Sequence, residues 1–115
     1  MNLLIADDST IIRTNLKKLL SHTLNDTSID ESETVELTIE KLKDSKIDVV
    51  VLDIQLPDGT GFDVLDYMNQ KQCKPIVIIF TNFPDEMNHA KSIQKGADYF
   101  LDKSDEYDTL LELLS

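Results

Sequence analysis

The chain has no tryptophan, a single cysteine, three glycines, three prolines and half as many basic residues as acidic ones, 11 Lys and Arg against 22 Asp and Glu. Each scarcity excludes something. One cysteine, Cys73, cannot close an internal disulfide, and with no His or Cys at ligand spacing it is a poor zinc ligand or nucleophile; it reads as a bystander thiol. The net charge of −11 repels nucleic-acid phosphates and anionic lipid, which argues against direct DNA binding and against a membrane partner. Long hydrophobic runs are missing too, since no stretch approaches the ~20 apolar residues of a membrane span. The run Leu3-Leu4-Ile5-Ala6 ends at once in Asp7-Asp8, with no basic n-region or small-residue cleavage site, so a cytoplasmic location is expected. His22 and His89 have no companions at ligand spacing and read as surface residues of helices.

What is present has the size of one compact domain, 115 residues, taken as a single unit over 1–115. Residues 2–6, 48–53 and 76–80 are short apolar runs rich in β-branched residues, the pattern of strands buried on both faces. Residues 99–101 form a further short strand, and the polar stretch within 27–33 holds an edge strand. Between them lie amphipathic helices. Ile12, Leu16, Leu19 and Leu20 recur at helical spacing after Ser9-Thr10, as do Val35, Ile39 and Leu42, and then Met87, Ala90 and Ile93 after Pro84. Phe62 and Leu65 mark a shorter helix after the turn Pro57-Asp58-Gly59-Thr60-Gly61, and Gly96 closes the fourth. Tyr107, Leu110, Leu111 and Leu114 mark a last helix that Ser104 is expected to cap, and which reaches Ser115 without a stop signal, as the front end of a longer protein would. Strict β-α alternation implies an α/β, doubly wound parallel sheet with helices on both faces.

In such a sheet the ligand site lies beyond the carboxyl ends of the strands. Asp7 and Asp8 end the first strand, Asp53 the third and Thr81 the fourth, and Lys103 follows the fifth, so all five fall on one rim. Singly, each has a structural explanation as a cap, a turn residue or a solvated amine. Jointly they do not. Three carboxylates within ~5 Å repel by roughly 3 kcal/mol per pair at an effective dielectric of 20, a burden for a marginally stable domain. A divalent cation is the natural remedy, and an all-oxygen set with few protein ligands favours Mg²⁺ over zinc or a calcium cage.

The Asp7-Asp8 pair, Asp53 within Val-Val-Leu-Asp-Ile-Gln-Leu-Pro-Asp-Gly-Thr-Gly, Thr81, and Gly96-Ala97-Asp98-Tyr99-Phe100-Leu101-Asp102-Lys103 together resemble the receiver domains of two-component signalling, over almost the whole chain. The resemblance implies a five-stranded (βα)5 flavodoxin-like fold with strand order 2-1-3-4-5. It implies that Asp53 is the nucleophile that takes a phosphoryl group from a histidine kinase or phosphotransfer protein. Asp7 and Asp8 then bind Mg²⁺ directly or through water, the Gln55 carbonyl completes that site, and Thr81 and Lys103 hold phosphoryl oxygens. Phe100 takes the aromatic switch position, with the face of the fourth helix, fifth strand and fifth helix carrying homodimer or partner contacts. DNA would be reached only through a downstream output domain. The chemistry agrees, because phosphoryl transfer needs an in-line nucleophile and cations to neutralise equatorial charge.

Two departures from the family pattern stand out. Ser104 replaces a proline whose preceding bond is often cis, a bond that before serine would cost about 2.5–4 kcal/mol. Asn82 replaces a small residue, and Phe83-Pro84 follow, which narrows access to Asp53. By the same resemblance Gln55 and Phe83 border the path of the water that hydrolyses the phosphoryl group, and apolar Phe83 points to a slowly decaying state. Three rival functions fit less well. A phosphohydrolase would need an acid-base carboxylate soon after Asp53, where Gln55 stands. A silent interaction module would not need all five site residues. A flavodoxin-like cofactor binder would need a Gly-rich phosphate loop where Asp7-Asp8 would repel a phosphate.

Overall fold

The computed structural model describes residues 1–44, 46–71 and 74–115; Cys73 lies outside the described residues. Five parallel strands form one sheet: β1 (Asn2–Ala6), β2 (Ser28–Ser32), β3 (Val49–Leu52), β6 (Ile76–Thr81) and β7 (Tyr99–Asp102), in the order β2-β1-β3-β6-β7. Counting only these five, the order is the expected 2-1-3-4-5. A two-stranded hairpin, β4 (Gln55–Leu56) with β5 (Gly59–Thr60), occupies the stretch read as a turn. The helices are α1 (Thr10–Thr23), α2 (Val35–Leu42), α3 (Gly61–Met68), α4 (Glu86–Gln94) and α5 (Tyr107–Leu114).

The apolar runs are continuous because each central strand is covered on both faces. Leu4, Ala6, Val50, Leu52, Val77 and Ile79 point to one side, against Val35 and Leu42 of α2 and Phe62, Val64, Leu65 and Met68 of α3. Leu3, Ile5, Val49, Val51, Ile78 and Phe80 point to the other, against Leu16 and Leu20 of α1 and Leu110 and Leu114 of α5. Each fully buried Leu, Ile or Val contributes about 1.5–3 kcal/mol from loss of contact with water, so these two layers hold the sheet together.

The polar edge strand is explained from both its faces. Asp30 pairs with Lys41 of α2 at 2.6 Å, and Glu31 pairs with Arg13 of α1 at 3.1 Å and Lys17 at 3.6 Å. Its alternating charges therefore meet helices on opposite sides of the sheet, and a charged edge discourages pairing with other strands.

Two expectations need correction. Ser104 does not cap α5: its hydroxyl and its amide both donate to Asp102 Oδ1, at 2.7 and 2.9 Å, closing a turn, and Glu106 occupies the cap position. In α4 the apolar spacing does not face the core. Met87, Ala90 and Ile93 are exposed, Met87 to 78%, whereas Ser92 is wholly buried with its hydroxyl donated to the Asn88 carbonyl at 2.7 Å. The small residue is the one that lets this helix approach the sheet. The helix starts where Asp85, one residue after Pro84, accepts the Asn88 amide, and it ends at Gly96, whose φ of +102° an L side chain would strain.

Candidate phosphoryl and metal site

Register brings the acidic residues together. Ala6 pairs with Leu52 across β1 and β3, so Asp7 and Asp53 leave their strands side by side, and the Asp53 amide donates to the Ala6 carbonyl at 2.9 Å. On the other side Thr81 pairs with Asp102, and the Lys103 amide donates to the Thr81 carbonyl at 2.9 Å, which turns the lysine back over the strand ends. Among the described residues no peptide bond is cis, so Lys103 reaches the site through a trans bond to Ser104.

Lys103 Nζ contacts Asp7 Oδ2 and lies 2.9 Å from Asp53 Oδ2. All three side chains are buried. Asp53 Oδ1 accepts the Ile54 amide at 2.7 Å and Asp7 Oδ1 accepts the Ser9 amide at 2.9 Å, so both carboxylates have fixed planes. Asp8 is exposed and completes a set of three carboxylates whose ligand atoms lie within 4.8 Å of one another. Among the described residues, one ammonium pairs with two of these three carboxylates and none pairs with the third. Burial pushes the Asp53 carboxyl above its ordinary value; the hydrogen bond and charge of Lys103 oppose that rise, and the charge of Asp7 adds to it. For Lys103, burial works against the charged form, but its bonds to Asp7 and Asp53 prevail and hold the ammonium above its ordinary value. The lysine stays charged, and the carboxylate excess remains.

Gly61 opens α3 with its amide donated to the Ile54 carbonyl at 2.7 Å, and a Cβ there would lie 2.4 Å from the Asp53 carbonyl oxygen. Only glycine lets the helix start so close to the residue that bears the chemistry. Thr81 is wholly buried at the end of β6, where its hydroxyl accepts the Phe83 amide at 3.1 Å. The structure thus brings Asp7, Asp8, Asp53 and Lys103 into one cluster, with Thr81 at the neighbouring strand end and Gln55 two residues beyond Asp53 in β4. Phe100 stands apart, half-buried in β7, its ring stacked on His89 of α4 with centroids 4.7 Å apart.

Sequence reasoning missed three participants. Arg13 donates to the Asp7 carbonyl at 2.5 Å, to Glu31 and to Thr10, bracing the loop that carries the acidic pair. Asp58 accepts the amides of Val35 and Glu36, and those bonds hold its carboxyl below the usual carboxylate range. His89 reads correctly as exposed, but its partner Phe100 lies on another element. No local signal marks Asp58 or the His89–Phe100 stack, which join segments that only the fold makes adjacent; Arg13 reaches Thr10 and Asp7 nearby, but its pairing with Glu31 also waits on the fold.

A family profile described as the response regulator receiver domain matches residues 3–115. The chain belongs to this receiver family. The receiver is 32% identical over 106 residues to the sensory transduction protein LytT of Bacillus cereus, covering 92% of this chain and 43% of LytT. It is 29% identical over 112 residues to the nitrate/nitrite response regulator protein NarL of Escherichia coli K12, covering 97% of this chain and 52% of NarL. The receiver thus spans about half the length of these curated relatives. Among solved structures it is similar to a LuxR-family DNA-binding response regulator from Staphylococcus aureus, with TM-score 0.88, 25% identity, and coverage of 98% of this chain and 94% of that one. A CheY-like receiver domain protein from Methanospirillum hungatei JF-1 gives the same TM-score of 0.88 and 25% identity, covering 98% and 89% of the two chains. The molecule is therefore a receiver domain of a two-component response regulator, within a family of signalling switches. Among the described residues no helix is long and apolar enough to cross a membrane.

Proposed function

We propose that this receiver accepts a phosphoryl group on Asp53 from a histidine kinase or phosphotransfer protein in a Mg²⁺-dependent reaction, and that residues 1–115 act as one phosphorylation switch. The observation that carries the reading is the Lys103 ammonium bridging buried Asp7 and Asp53 beside exposed Asp8. The donor set fits Mg²⁺: three carboxylates and no nitrogen or sulfur, open to solvent at Asp8. Asp7, Asp8, Asp53 and the Gln55 carbonyl would hold the ion, which when bound neutralises charge on the transferring phosphoryl oxygens.

The protein's own groups do the remaining work. The Ile54 amide fixes the Asp53 carboxyl for in-line attack on phosphorus, a carboxylate needing no general base; as the new O–P bond forms, the P–N bond to the donor's histidine breaks and the imidazole leaves with that electron pair. As the phosphoryl group arrives, Lys103 exchanges its bond to Asp53 for one to a phosphoryl oxygen while keeping Asp7. Thr81 donates a hydrogen bond from its hydroxyl to another phosphoryl oxygen, and in rotating toward it moves away from the Phe83 amide whose hydrogen it accepts. That departure loosens the loop before α4, and Phe100 slides inward, remodelling the face of α4, β7 and α5. This face serves homodimer or partner contacts, and any contact with DNA belongs to a downstream output domain.

Incubation with a small phosphodonor such as phosphoramidate, followed by mass spectrometry, tests the acceptor. A phosphoryl mass increment on Asp53 is expected, dependent on Mg²⁺ and lost in Asp53→Asn. No labelling of the wild type with Mg²⁺ present refutes the reading. For the switch, a phosphate mimic is expected to move amide resonances across residues 84–111; unmoved resonances refute it.

A further inference from the structure

Helix α2 is started by two different side chains. Thr34, its own cap residue, takes the Leu37 amide at 3.0 Å. The two amides before it go to a distant carboxylate: Asp58 Oδ1 accepts from Val35 at 2.7 Å and Asp58 Oδ2 from Glu36 at 3.0 Å. First-turn amides of a helix have no partner inside the helix, so this carboxylate satisfies two orphan donors at once. It also does something a local cap does not, because Asp58 lies in the turn of the β4–β5 hairpin.

That hairpin has only two residue pairs, Gln55 with Thr60 and Leu56 with Gly59. A ladder so short is not rigid alone. Its base is fixed by the Asp53 amide on Ala6 and the Gly61 amide on Ile54, and its middle by buried Leu56 in the core. Its tip is exposed at Pro57 and Asp58 and is tied down by the carboxylate on α2. Close packing continues beside it, since a Cβ on Gly59 would lie 3.2 Å from Val35 Cγ2.

We propose that Asp58 is a positioning residue for the cation site: by tying the hairpin to the first turn of α2 it holds Gln55 where its carbonyl completes the ligand set, and so links cation affinity to the start of α2. This rests on the Mg²⁺ reading above. A backbone carbonyl cannot choose a rotamer to find an ion, so its use as a ligand depends on how firmly its segment is held. The coupling is reciprocal. If the tie raises Mg²⁺ affinity by some factor, bound Mg²⁺ strengthens the tie by the same factor.

The experiment is a Mg²⁺ titration of the full chain at constant ionic strength, followed by amide resonances because no tryptophan is present. Asp58→Ala is expected to weaken Mg²⁺ binding about threefold to tenfold, at or below the lower end of the 10–100-fold typical of a direct outer-shell partner. Thr34→Ala removes the local cap of the same helix but leaves the tie, and is expected to stay within about twofold of wild type. Asp58→Asn, which removes the charge but keeps one acceptor oxygen, is expected to fall between wild type and Asp58→Ala. In the unmutated chain, saturating Mg²⁺ is expected to slow hydrogen exchange of the Val35 and Glu36 amides, a readout that needs no variant to fold. Unchanged affinity in Asp58→Ala, equal losses in Thr34→Ala and Asp58→Ala, equal losses in Asp58→Asn and Asp58→Ala, or unchanged exchange would each overturn the proposal. A wild type that binds no Mg²⁺ overturns the function proposed above together with this inference. Normal wild-type binding with an indifferent Asp58 overturns this inference alone.

Discussion

Replacing Lys103 by methionine keeps the length of the side chain and removes the cation that bridges Asp7 and Asp53. Both carboxylates are buried, so the variant cannot simply hydrate them. Breaking a buried ion pair from one side costs about 3–5 kcal/mol, mostly from the charge left behind. The protein can limit that cost by binding a proton. Starting from the ordinary carboxyl value of 3.8, protonating one Asp at pH 7 costs about 4 kcal/mol, which sets the ceiling, and at pH 5 only about 1.6 kcal/mol. The expected destabilisation is therefore about 3–4 kcal/mol at pH 7 and below about 2 kcal/mol at pH 5. The direction follows from proton counting. Burial raises Asp53, and loss of Lys103 raises it further, so between 3.8 and the folded value the native state binds more protons than the unfolded state. Stability then falls as pH rises through that window, and falls more steeply in the variant. Urea unfolding at pH 5, 6 and 7 with EDTA present measures it, and millimolar Mg²⁺ at pH 7 should recover more stability in the variant than in wild type. A variant whose loss is the same at pH 5 and pH 7 would refute the idea that uncompensated carboxylates dominate this site.

Three further outcomes follow from the same geometry. Asp8→Asn removes one of three carboxylates within 4.8 Å and is expected to raise the urea midpoint without Mg²⁺ while abolishing the gain that Mg²⁺ gives; a lowered midpoint in EDTA contradicts this. Gly61→Ala forces a Cβ toward the Asp53 carbonyl and is expected to cost at least about 1–3 kcal/mol by overpacking, together with slower phosphodonor labelling; wild-type stability would show that the first turn of α3 yields freely. Phe83, exposed to 44% after Thr81, is expected to keep water from the phosphoryl group, so Phe83→Glu and Phe83→Ala should lose phosphate faster than wild type once donor is removed; equal decay in all three excludes that role.

The doubly wound sheet was legible because its central strands are apolar on both faces, and the rim was legible because Asp7, Asp8, Asp53 and Thr81 sit at the ends of those runs. The apolar spacing of Met87, Ala90 and Ile93 gave α4 as a helix but not which face it buries, since an exposed apolar stripe carries the same periodicity as a buried one. The Ser104 cap failed because the Ser104 hydroxyl and amide both donate to the Asp102 carboxylate two residues before, a local turn that competes with accepting a helix amide.

By itself the sequence determined the order of the five sheet strands and the five helices along the chain, the carboxylate excess and the residues available to hold a cation, since these depend on periodicity and chemical type. Only the tertiary structure decided who meets whom. The polar strand Ser28–Ser32 is held by its ladder to β1, and its charges find Lys41 and Arg13 on helices at opposite faces. Asp58 starts a helix that precedes it, and Lys103 spans the strand ends to join Asp7 and Asp53. Such bonds have no local signature, because their energy depends on distances that exist only after the sheet has set its register.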